Sequence, residues 1–102
     1  MQVQVNTDNH IEGREELAAH VRATVSDSLS RFSDRITRLE IHLSDEDGDK
    51  DGENDKRCMI EARLKGRQPT AVTYNAASLH EAVDGAADKL KRSLESTLEP
   101  QR

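Results

Sequence analysis

The chain is 102 residues long, 34% charged, and holds only two aromatic rings of the Phe and Tyr type, Phe32 and Tyr74. That length suits one domain burying roughly two thirds of its unfolded surface, with a lean core of Val, Leu, Ile and Ala. Apolar runs of only a few residues exclude a transmembrane helix. One cysteine, Cys58, excludes an internal disulfide, and "MQVQVNTDNH" has no secretory pattern, so a cytoplasmic location is expected.

Taken in chain order, "QVQVN" at 2–6 alternates and reads as a strand with Val3 and Val5 inward. From Arg14 to Arg31 the residues Leu17, Val21, Val25, Leu29 and Phe32 recur at helical spacing, with Glu15 and Glu16 favouring the helix start. "TRLEIHLSD", 37–45, is a second strand with Leu39, Ile41 and Leu43 on one face. "KRCMIEARLKG", 56–66, is a third with Cys58, Ile60, Ala62 and Leu64 inward. "TAVTYNAA", 70–77, is a fourth, with Val72 and Tyr74 inward. Ser78 with Glu81 three residues on forms a capping box that opens a last helix. Its stripe is Leu79, Ala82, Val83, Ala86, Ala87, Leu90, Leu94 and Leu98, and Pro100 ends it.

The fold class is therefore α+β in the order β-α-β-β-β-α. It is a four-stranded mixed sheet, strands 1 and 2 parallel, with both helices packed on one face. The opposite face is polar: Gln2, Gln4, Arg38, Glu40, His42, Arg57, Glu61, Arg63, Lys65 and Thr73. A single domain over 1–99, a flexible acidic loop at 45–56 and a short tail at 100–102 complete the expected organisation.

The loop "DEDGDKDGENDK" carries seven acids and two lysines, so it accounts for the whole net charge of −5. The other 90 residues hold 13 acids and 13 bases. Chain acidity thus says little about a binding face elsewhere. Asp47, Asp49 and Asp51 with Gly52 begin like a calcium loop. The twelfth position is Cys58 instead of glutamate and the flanks are strands, so a solvated hairpin connection is the better reading. His10, His20, His42 and His80 show no i,i+3 or i,i+4 pairing with one another, so no metal site and no cofactor is expected. Cys58 and His42 fall on opposite sheet faces, and no nucleophile, phosphate-loop or paired-carboxylate motif supports an enzyme.

The basic residues remain. Lys89 and Arg92 share a face of the last helix, Lys91 points elsewhere, and Arg22 lies mid-way along the first helix. With the helices side by side these would form a positive groove able to meet phosphates; solvated helix faces are the plainer alternative. Arg57, Arg63, Lys65 and Arg67 form a second basic run.

The stretch "YNAASLHEAVDGAADKLKRSL" resembles the helix signature of the ribosome hibernation promoting factor and ribosome-associated inhibitor A family, also called sigma-54 modulation proteins. The match is carried by Ala82, Val83, Asp84, Asp88, Lys89, Leu90, Arg92 and Leu94. "MQVQVNTDNHIEGREELAAHV" and "RFSDRITRLEIHLS" are similar to its opening strand-turn-helix and second strand. The resemblance implies the same fold and a translation inhibitor that acts by occlusion. Its partner would be rRNA of the small ribosomal subunit at the mRNA and tRNA channel. Lys89, Arg92 and Arg22, with Lys91, Arg63 and Lys65, would make the phosphate contacts, with no membrane or DNA partner and a monomer when free. Set beside the long family form, the chain is expected to stop before that form's C-terminal dimerisation domain and not to dimerise ribosomes by that route. It also departs from the family in "ESTLEPQR", where a lysine-rich tail is usual, in Ser26, Asp27 and Ser28, where lysine is frequent, and in the acidic loop. These departures favour the alternative: a family member acting as a protein-interaction or stress-regulatory module without the ribosome.

Overall fold

A computed structural model describes residues 1–8, 14–45 and 55–99. Strand β1 is Gln2–Thr7, helix α1 Arg14–Ser28, β2 Ile36–Asp45, β3 Lys56–Leu64, β4 Thr70–Ala76 and helix α2 Leu79–Leu98. The sheet order is β1-β2-β3-β4. β1 runs parallel to β2, and β2, β3 and β4 are successively antiparallel. This is the β-α-β-β-β-α mixed sheet that alternation and helical spacing dictate.

The period-2 pattern is obeyed most closely on the central strands. Leu39, Ile41 and Leu43 of β2 and Cys58, Ile60, Ala62 and Leu64 of β3 are all buried beneath the helices. Leu43 sits opposite Cys58 and Ile41 opposite Ile60, so each pair joins the same inner layer. Burial pushes the Cys58 thiol up to about 12, because a thiolate there would lose its water.

β2 starts one residue earlier than strict alternation allows. Ile36 faces Leu64 while Arg38 faces Arg63, a bulge that leaves Thr37 over. The extra residue lets Ile36 and Leu39 both point inward. Thr37 closes the irregularity by donating its hydroxyl hydrogen to the Arg63 carbonyl at 3.1 Å.

The helices differ in how firmly they are specified. In α2, Ser78 accepts the Glu81 N–H at 3.1 Å and its hydroxyl donates to the Glu81 carboxylate at 3.0 Å. Seven residues of α2 are buried: Ala82, Val83, Ala86, Ala87, Leu90, Leu94 and Leu98. Helix α1 buries only Val21 and Val25. It stops at Ser28, three residues short of the Arg31 expected from spacing, and a 3₁₀ turn at Ser30–Phe32 follows. That tighter turn still delivers Leu29 and Phe32 to the core.

Tyr74 needs a correction. It lies on the helix side of β4, as alternation requires, yet is 43% exposed. β4 is an edge strand, so α2 covers the ring from one side only. A Cβ at Gly85 of α2 would stand 2.3 Å from the Tyr74 ring, so the phenol lies flat on a gap only glycine leaves.

Candidate nucleic-acid interface

The two helices run parallel. His20 of α1 meets His80 at the start of α2, while Arg31, just after α1, pairs with Glu95 and Glu99 at the end of α2. Both helix N-termini therefore lie at one end of the molecule and both C-termini at the other. Their dipoles add, with the positive end towards the β2–β3 connection and the negative end towards the β3–β4 turn.

Side-chain charge is distributed the other way round. At the N-terminal end, Asp45 and Asp55 are buried on either side of Lys56, whose ammonium lies 2.8 Å from Asp55 and 3.4 Å from Asp45. Asp8 joins them by accepting the Asp45 N–H at 3.0 Å. The hydrogen bond from Lys56 holds the Asp55 carboxyl below its ordinary range and, reciprocally, raises Lys56. The calcium-like residues Asp47, Asp49 and Asp51, and the flexibility expected of their loop, lie outside the described residues. The two ends of that stretch do not: Asp45 and Lys56 are paired partners in the β2–β3 ladder.

At the opposite end, the β3–β4 turn brings Lys65, Gly66 and Arg67 beside the turn before β2. Lys65 donates its N–H to the Arg35 carbonyl at 3.0 Å, and Gly66 adopts a φ of 67°. Arg67 lines a depression of about 750 Å³ with Gln68, Pro69, Thr70 and Thr97. Arg35 acts on Glu99 through space, and neither Lys65 nor Arg67 has an ion pair among the described residues. A hydrogen bond from Arg31 is the main cause that keeps the Glu99 carboxyl low.

The family resemblance implies phosphate contacts at Lys89, Arg92, Arg22, Lys91, Arg63 and Lys65, and the structure does not gather these residues in one place. Lys89 reaches over the edge strand and donates to the Thr73 carbonyl at 3.1 Å. Arg92, on the same exposed side of α2, pairs with Asp88 at 3.1 Å. Lys91 is half-buried. Arg22 is exposed, but it stands about 200° round α1 from His20, the residue that touches α2. It therefore faces away from α2, and no single positive groove joins Arg22 to Lys89. Arg63 belongs to the open sheet face, where it lies 3.6 Å from Glu40 and 3.5 Å from Glu61; Arg38 lies 3.4 Å from Glu40 and also bonds Gln4. That face is a lattice of alternating charge. Lys65 stands apart from the helix set, at the turn with Arg67.

Arg35 was missed as a candidate because it sits between elements in sequence. The hairpin register could have found it: pairing Ile36 with Leu64 places Arg35 beside Lys65.

The class defined by this arrangement is a four-stranded α+β domain, helices on one face only, with a bare polar face opposite. The N-terminal domain of Protein Y from Thermus thermophilus has this fold, with a TM-score of 0.73 at 19% identity over 95% of this chain and 99% of that one. A ribosomal subunit interface protein from Coxiella burnetii matches at 0.65 and 17% identity, over 97% and 99%. Comparison with curated proteins returns no match. The chain belongs to the Sigma 54 modulation protein / S30EA ribosomal protein family, whose model matches residues 3–102.

Proposed function

We propose that this chain is a ribosome-associated translation inhibitor that occupies the mRNA and tRNA channel of the small subunit and acts by occlusion. Membership of a ribosomal-protein family over almost the whole chain carries this reading. The name of the Coxiella burnetii neighbour, a ribosomal subunit interface protein, agrees with it. Basic groups that form no ion pair among the described residues supply the chemistry: Lys65 and Arg67 with Arg35 beside Lys65, Lys89 at the edge strand, and Arg22 on the far flank of α1. Lysine and arginine meeting phosphates release counterions, so the complex weakens steeply as salt rises.

Arg92 and Arg63 contribute through flexible exposed side chains once they leave Asp88, Glu40 and Glu61. Such surface pairs are worth little and yield to a phosphate. Lys91 plays the smaller part because it is half-buried. The cytoplasm is the compartment this role requires, and among the described residues no helix is long and apolar enough to cross a membrane.

Co-sedimentation with purified small subunits and whole ribosomes over a salt series tests the proposal. Binding should be present at low salt and fall along a straight line in log salt. Lys89→Glu combined with Arg92→Glu should flatten the slope and weaken binding. No association at any salt would overturn it. The internal pairing of Arg63 and Arg92 favours a second reading, a module that binds protein instead. Recovery of a defined protein partner without rRNA would select that one.

A further inference from the structure

The histidines look scattered in sequence, yet the parallel helices bring two of them together. His20 Nε2 and His80 Nδ1 are 3.2 Å apart, with ring centroids separated by 4.7 Å and planes inclined at 63°. Both rings line a cleft of about 630 Å³ at the N-terminal end of the helices, together with Glu16, Leu17, Lys56, Ala77, Ser78 and Leu79.

We propose that this cleft binds a zinc-like divalent transition metal through His20, His80 and Glu16. The spacing of the two nitrogens is the first argument. Tetrahedral zinc with bonds of about 2.0–2.1 Å places neighbouring ligand nitrogens ~3.4 Å apart, close to the separation already present. The second argument is helical register. Glu16 precedes His20 by four residues, so both stand on one face of α1 a single turn apart, the spacing that lets one helix supply two ligands. His80 provides the third ligand from α2, and the open cleft leaves the fourth position to water.

Without metal, the two imidazoles share a proton: one ring donates to the other. Metal binding needs that proton on the far nitrogen of its ring, so that His20 carries hydrogen on Nδ1 and His80 on Nε2. This is a change of tautomer, with no net loss of a proton from a neutral pair. Glu16 must also turn its carboxylate inward, since no three ligand groups are gathered at coordination distance among the described residues. Asp45 and Asp55 hold Lys56 within the same cleft and offset its charge. The site does not depend on ribosome binding, and either reading can stand without the other.

The test is titration of the full chain with zinc chloride alone by calorimetry, with cobalt absorption to report coordination. The expected result is one ion per chain and a tetrahedral cobalt spectrum. His20→Ala and His80→Ala should each weaken binding by about tenfold or more, and Glu16→Gln should weaken it while Glu15→Gln does not. His42→Ala, on the opposite sheet face, should leave affinity unchanged. Nitrogen-resolved NMR of the imidazoles should show both rings fixed in the stated tautomers on adding zinc. Circular dichroism confirms that each variant is folded. Absence of saturable binding would overturn the proposal. So would zinc affinity that survives loss of both histidines, which would move the ion to the acidic residues.

Discussion

The two ends of the molecule share one core but solve opposite electrostatic problems. At the end where α1 and α2 begin, Asp8, Asp45 and Asp55 sit against positive helix dipoles, and Asp45 and Asp55 hold the Lys56 ammonium. At the end where the helices finish, Arg31, Arg35, Lys65 and Arg67 face the negative ends of those dipoles. Parallel helices make this separation stable, because each cluster is matched to the dipole it meets. Antiparallel helices would mix the two signs at each end. The lesson is that an acidic protein can present a basic surface: the −5 of the whole chain is carried by residues 45–56, and the charge of the other 90 residues balances.

That comparison can be broken most severely through what the poles share. Leu90, fully buried in the middle of α2, should lose about 2–5 kcal/mol of stability as Leu90→Ala, measured by urea unfolding. Hydrogen exchange should show both ends opening together, and separate transitions would mean they are not one body. Next comes reversal of the basic pole. Arg35→Glu, Lys65→Glu and Arg67→Glu together should lower ribosome affinity by roughly 10²-fold or more at low salt, with the melting temperature little changed. Undiminished co-sedimentation would remove this pole from the interface.

A smaller effect is expected at the acidic pole from Lys56→Met. Asp55 has a lowered pKa in the folded chain, so its contribution is present above the ordinary carboxylate range and is lost as pH falls through the folded value. Wild-type melting temperature should therefore decline at the acid end. Without Lys56, two buried carboxylates face each other unrelieved, and mild acidification from neutral pH should raise stability instead. Melts from neutral to acid pH decide between these signs. Arg31→Ala should do least. Its partner Glu99 is exposed and Glu95 half-buried, so water screens both pairs and the melting temperature should stay within experimental error at physiological salt.

The sheet and α2 were legible because their signals repeat. Strand alternation is corrected by every second residue, and the capping box and eight-residue stripe of α2 reinforce each other. The outcome on β4 was less legible: period alone puts Tyr74 inward, but how far an edge position is covered depends on what the neighbouring helix offers, here Gly85. The bulge at Thr37 likewise has no local composition cue. The candidate surface was harder still. Lys89 and Arg92 could be placed on one face of α2 from spacing, whereas the directions of Arg22 and His20 depend on how α1 is rotated against its neighbour. With only Val21 and Val25 fully buried, the sequence pattern of α1 defines that rotation weakly. Arg35 and Lys65 become neighbours only through the β2–β3 register, a long-range pairing.

The contact between Tyr74 and Gly85 has an optical consequence. The chain has one tyrosine and no tryptophan, so its near-ultraviolet absorption and emission above the phenylalanine range come from a single ring. That ring is fixed against α2 on one side and open to water on the other. It is a built-in chromophore at the seam between helix and edge strand. Iodide quenching or a shift in tyrosine emission would follow anything that lifts β4 from α2, including a partner seated near Lys89, without any label being added.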